Sequence, residues 1–118
     1  MELQKLHKEI LAMCVDDYTE LWYVIRLVYP SFSSENPIPD WVINKTLELI
    51  HQMLESGYIE AGILRESFSP LKISLDETIS YIKSMWNKLE GKPLRVGYIC
   101  WFRATQAGEK LARELNLI

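Results

Sequence analysis

The sequence predicts an α+β fold that is mainly helical, with a small antiparallel sheet and a helix inserted between two of its strands. Three observations carry this. Two strand-like segments, 57–64 and one opening at Val96, stand about thirty residues apart; a helical pattern with its own cap fills the interval; and helical periodicity recurs through the rest of the chain. At 118 residues, 48% apolar and 25% charged, the chain has the size and composition of one globular domain, 1–118, with a helical insertion at about 65–95.

Taken in order, Leu3, Leu6, Ile10, Met13 and Cys14 recur at helical spacing and predict a first helix, with Gln4, Lys5, Lys8 and Glu9 on its polar side. Asp17-Tyr18-Thr19-Glu20 has the form of a capping box. Tyr18, Leu21, Trp22, Ile25, Val28 and Tyr29 then make an apolar stripe that Pro30 ends. The stretch 30–39, rich in Pro, Ser and Asn, reads as a surface connection kept extended by Pro37 and Pro39. Asp40 caps a helix over 41–56, with Ile43, Leu47, Ile50, Met53 and Leu54 on its apolar face and Gly57 as its left-handed stop.

Beyond Gly57 the run to Leu64 is short and apolar, as a strand leaving a helix should be, and Gly62 marks a bulge or a close contact. Ser74-Leu75-Asp76-Glu77 is a capping box for a helix over 75–89, its apolar positions Leu75, Ile79, Ile82, Trp86 and Leu89 stopping before Gly91 and Pro93. In the strand 96–103, Tyr98, Cys100 and Phe102 face one way and Ile99, Trp101 and Arg103 the other. Large apolar groups on both faces need cover on both; the helix 75–89 is the economical cover for the second, and a dimer partner is the competing one. Thr105 caps a last helix whose buried stripe is predicted as Ala107, Leu111 and Leu115.

Function classes narrow by chemistry. The two cysteines, Cys14 and Cys100, lack the spacing of a zinc knuckle or a redox dithiol and fit a reducing, cytoplasmic setting. No run approaches the ~18 apolar residues of a membrane span, and no motif calls for a metal or cofactor. His51 stands between Glu48 and Glu55 on one helical face but lacks a second nearby histidine, so a solvated helix face is the better reading. The serines at 31, 33 and 34 lack a nucleophile elbow, and no glycine-rich loop could cradle a phosphate. We therefore expect no catalysis. Net charge is −3, unevenly spread: residues 1–82 carry six Lys/Arg against thirteen Asp/Glu, whereas residues 83–118 carry seven against three.

The run Leu54-Glu55-Ser56-Gly57-Tyr58-Ile59 closing a helix, a strand pair, and then Ala104-Thr105-Gln106-Ala107-Gly108-Glu109-Lys110-Leu111-Ala112 resemble bacterial winged-helix regulators. There, a Leu-x-x-x-Gly-Leu-Ile pattern follows the recognition helix and Leu-Thr-x-x-Gly-x-x-Leu follows the wing. The resemblance covers about half the chain and implies a winged-helix-like core with an enlarged wing. Ala104 stands where the family has Leu, 65–95 replaces a short hairpin tip, and one continuous helix over 39–56 leaves little room for a separate helix and turn before it.

Two roles follow. The first is a small non-catalytic interaction or regulatory protein, binding a protein partner or a second copy of itself, with Trp41 beside Pro39 and Asp40 as an interface anchor. In the alternative, which the family resemblance implies, the chain is a DNA-binding regulator. Asn44, Lys45, His51 and Gln52 then approach bases, and Lys92, Arg95 and Arg103 meet phosphates. Glu48 and Glu55 on the same helix weigh against duplex binding.

Overall fold

The structure, a computed structural model, describes residues 2–33, 35–90, 92, 94 and 99–118. Among these residues the order is α1 (Lys5–Asp16), β1 (Thr19–Glu20), α2 (Leu21–Val28), α3 (Asp40–Glu55), β2 (Ile59–Leu64), β3 (Phe68–Pro70), α4 (Leu75–Asn87), β4 (Trp101–Ala104) and α5 (Gln106–Glu114). The strands form one antiparallel sheet in the order β1-β4-β2-β3. The α+β, mainly helical class is therefore as the sequence predicts.

Local chemistry explains several boundaries. Ser74 accepts the Glu77 N–H at 3.1 Å while the Glu77 carboxylate accepts the Ser74 N–H at 3.2 Å, the reciprocal capping box expected for α4. Thr105 Oγ1 likewise accepts the Gly108 N–H at 3.1 Å and starts α5. Gly57, at φ 79°, ends α3 in the left-handed region as predicted. Asp40 lies one residue inside α3, and Pro39 occupies the cap.

Elsewhere tertiary contacts override the local reading. Asp17–Glu20 does not cap α2. Asp17 is extended, its carboxylate accepts the Tyr18 N–H at 2.7 Å, and Thr19 and Glu20 pair as β1 with Phe102 and Trp101 of β4. Ladder pairing supplies the partners that a cap would otherwise provide. The α1 face is also broader than its predicted stripe, burying His7 and Leu11 beside Ile10 and Cys14. The hairpin strand β3 was not foreseen; it is three residues long, too short for alternation to show. Of the predicted strand 96–103, residues 96, 97 and 98 lie outside the described residues, as do Gly91 and Pro93. The visible part pairs at 101–104.

The register sorts the sheet into two faces. Ile59, Ala61, Phe102 and Ala104 face inward, where α1 packs on β4, and Phe102 is fully buried. Tyr18, Trp101, Arg103, Glu60, Gly62 and Phe68 belong to the outer face. That face is not roofed by the inserted helix, contrary to expectation; α4 packs chiefly on α3. The cover comes from the sheet's own aromatics. A Cβ on Gly62 would lie 2.5 Å from the Phe68 ring, so the missing side chain makes the lane in which Phe68 rests. Tyr18 stacks on Phe68 at 5.4 Å with planes 5° apart, and the Arg103 guanidinium sits 4.4 Å from the same ring.

The face of α5 is likewise rotated from its prediction. Gly108 and Ala112 are buried, whereas Ala107 and Leu115 are exposed. The cause is steric: a Cβ on Gly108 would lie 2.0 Å from the Tyr58 carbonyl oxygen and 3.2 Å from Leu11. Backbone thus meets backbone here, and only this face of α5 can approach so closely. Gly108→Ala should cost about 3 kcal/mol by urea denaturation, because neither backbone can yield cheaply. The exposed neighbouring change Ala107→Gly should cost only about 1 kcal/mol; equal losses would show that helix propensity rather than contact dominates.

Candidate functional site

The first turn of α3 projects from the proline-bounded loop that precedes it, and this places Trp41 at the surface, 58% exposed. Its ring meets Tyr29 edge-on at 5.9 Å. Together with Leu6 of α1, Val28 of α2 and Asn44, Lys45 and Glu48 of α3 it borders a shallow hollow of about 550 Å³. Lys45 and Glu48 are 3.9 Å apart and both exposed, a loose pair of the kind that contributes little stability and leaves both charges open to a partner.

Asn44 also borders a second hollow on the other side of α3, about 440 Å³, between α3 and α4. Ile43 and Leu47 from α3 and Trp86 and Leu89 from α4 form its apolar part. Lys83, Asn87, Lys92, Asp40 and Glu90 stand around it. α4 ends at this edge, with Lys88 as its cap and Glu90 in the left-handed region at φ 52°.

The structure brings some of the predicted residues together and separates others. Trp41, Asn44 and Lys45 share the first hollow, and Asn44 and Lys92 share the second. Gln52 is taken up internally: its side-chain oxygen accepts from His7 Nε2 at 2.6 Å, while His7 Nδ1 accepts the Gln4 N–H at 3.0 Å. His7, 4% exposed, is therefore a buried connector between α1 and α3. His51 is half-buried on α3. Arg103 belongs to the outer face of the sheet, bonded to the Glu60 carboxylate. Arg95 lies outside the described residues. Lys83, Trp86 and Asn87, which the sequence does not single out as site residues, border the second hollow; of these the basic excess after residue 82 signals Lys83 alone.

Among the described residues no three His, Cys, Asp or Glu side chains gather as a metal site would require, and no helix is long and apolar enough to cross a membrane. Searches with this chain return no match among protein-family models, characterised proteins or solved structures.

Both cysteines are free and buried. Desolvation pushes Cys14 up from 9.0 to about 12, partly offset by a hydrogen bond with Thr19, and burial alone pushes Cys100 to about 12. At neutral pH both stay protonated and poorly nucleophilic. As pH rises from about 9 to about 12, the unfolded chain releases thiol protons that the folded chain retains, so stability is undiminished below this window and falls across it. Denaturation at about pH 8 and about pH 10 should show a loss of about 1.4 kcal/mol per thiol. A Cys14→Ala/Cys100→Ala variant should lack that part of the slope, and an unchanged slope would contradict the burial argument.

Proposed function

We propose that this chain is a small non-catalytic interaction or regulatory protein that binds another protein, on a winged-helix-like scaffold. The single observation that carries this reading is Trp41. A 58% exposed tryptophan beside an apolar hollow, ringed by Asn44, Lys45 and Glu48, has the make-up of an interface anchor with a polar rim. The scaffold reading is supported by the strand pair β2 and β4 leading into α5. It is further supported by the contact of Gly108 with Tyr58, which joins the two sequence stretches that resemble the winged-helix pattern. Two free, buried cysteines support a reducing, cytoplasmic setting.

Duplex recognition is the weaker reading. It asks Gln52 and Arg103 to leave the partners they already hold, and it sets Asp40, Glu48 and Glu55 on the helix that would face phosphates. The test is affinity capture from native extract by wild-type protein and by Trp41→Ala, each with and without nuclease. A protein should be retained by the wild type regardless of nuclease, and retained at least about tenfold less by Trp41→Ala. Capture that vanishes with nuclease, or that ignores Trp41, would sink the reading.

A further inference from the structure

We infer that the groove between α3 and α4 is the docking site for an acidic, amphipathic peptide segment of a protein partner. This inference rests on the protein-interaction reading and names the chemistry of what is bound.

Two features of the groove define its occupant. Half-buried Ile38 and Ile43, beside the largely buried Leu47 and Trp86, give the groove an apolar lining that calls for apolar side chains on its occupant. Beside it stand exposed ammonium groups at Lys83 and Lys92, with Lys88 on the adjoining surface of α4. Among the described residues, none of these three lysines has a carboxylate within ion-pair distance. Electrostatics at a helix end accounts for Lys88 at the cap but not for Lys83, more than a turn earlier. Three unneutralised cations thus gather on a protein whose net charge is −3.

The carboxylates of Asp40 and Glu90 decide between a peptide and a nucleic acid. Both border the same groove. A phosphate backbone presents charge at short, regular intervals and would bring it against Asp40 and Glu90 as well as against the lysines. A peptide can space its carboxylates to meet Lys83 and Lys88, roughly 7 Å apart along α4, and place apolar or basic groups elsewhere. Asn44 borders both hollows, so a segment lying here is continuous with the Trp41 surface.

The test is selection of a random-peptide display library against the intact chain. The expected result is enrichment of sequences that combine acidic with aromatic or aliphatic residues. Synthetic versions should lose at least about tenfold in affinity against Lys83→Glu/Lys88→Glu/Lys92→Glu, and should weaken when their acids become amides. All three lysines are exposed, so an unchanged thermal unfolding midpoint verifies that this variant is folded. A single Trp86→Phe variant, followed by fluorescence, should lose the emission change that the bound peptide produces in the wild type. Enrichment of neutral or basic sequences, binding indifferent to the charge reversal, or displacement by duplex DNA at equal charge would each overturn the inference. Peptides that depend on Trp41 and ignore the lysines would also overturn it, yet leave the protein-interaction reading standing. The nuclease-controlled capture tests that reading separately.

Discussion

The carbonyl of Tyr58 lies against the backbone of α5, and the rest of the arrangement depends on that approach. Its oxygen accepts the Thr105 N–H at 3.0 Å and stands where any side chain on Gly108 would have to be. Thr105 meanwhile donates its hydroxyl to the Gly57 carbonyl at 2.6 Å and accepts from Gly108. The end of α3, the start of β2, the end of β4 and the start of α5 are thereby fixed at one place. Leu11 of α1 is the next nearest neighbour of Gly108, so α1 is held against the same point. Once α5 is seated on α1, the inner face of the sheet, with Phe102 at its centre, has its cover.

A second glycine settles the other face. Strand residues with large groups on both sides ask for two layers of cover, and a helix is the usual second layer. Here the absent side chain of Gly62 lets Phe68 lie down across the sheet, where Tyr18 and Arg103 complete the layer. The outer face is closed by its own aromatics, while α4 packs against α3 and the groove lies between those two helices. Covering the sheet and packing on α3 are thus alternative placements of one helix, and α4 takes the second.

These contacts explain what could be read from the chain and what could not. Ser74, Thr105 and Gly57 act on groups within a few residues, so their caps and stops were legible. Asp17–Glu20 carried an equally good local signal and formed a strand, because β4 offered pairing that no short-range pattern reveals. In α5 the periodicity of nine residues left more than one apolar face available, and a backbone contact with Tyr58 chose among them. The site divides in the same way. The exposure of Trp41 was legible from its place after a proline-bounded loop, whereas the burial of His7 and its hydrogen bond to Gln52 depend on the meeting of α1 with α3. The groove was hidden for a similar reason: its walls come from two helices far apart in sequence, and their meeting is a tertiary contact.

Charge follows the same logic. The carboxy-terminal third of the chain is basic, but a sequence excess becomes a surface field only where folding leaves it unpaired. Arg103 is neutralised by Glu60 and laid over Phe68, and its charge serves to close the outer face. Lys83 and Lys88 are carried by α4 to the opposite use. With α4 against α3, Lys83 borders the groove together with Trp86, and Lys88 lies on the adjoining surface beside Glu90. Arg103 stays 37% exposed with its charge met by Glu60, whereas among the described residues Lys83 and Lys88 have no ion-pair partner.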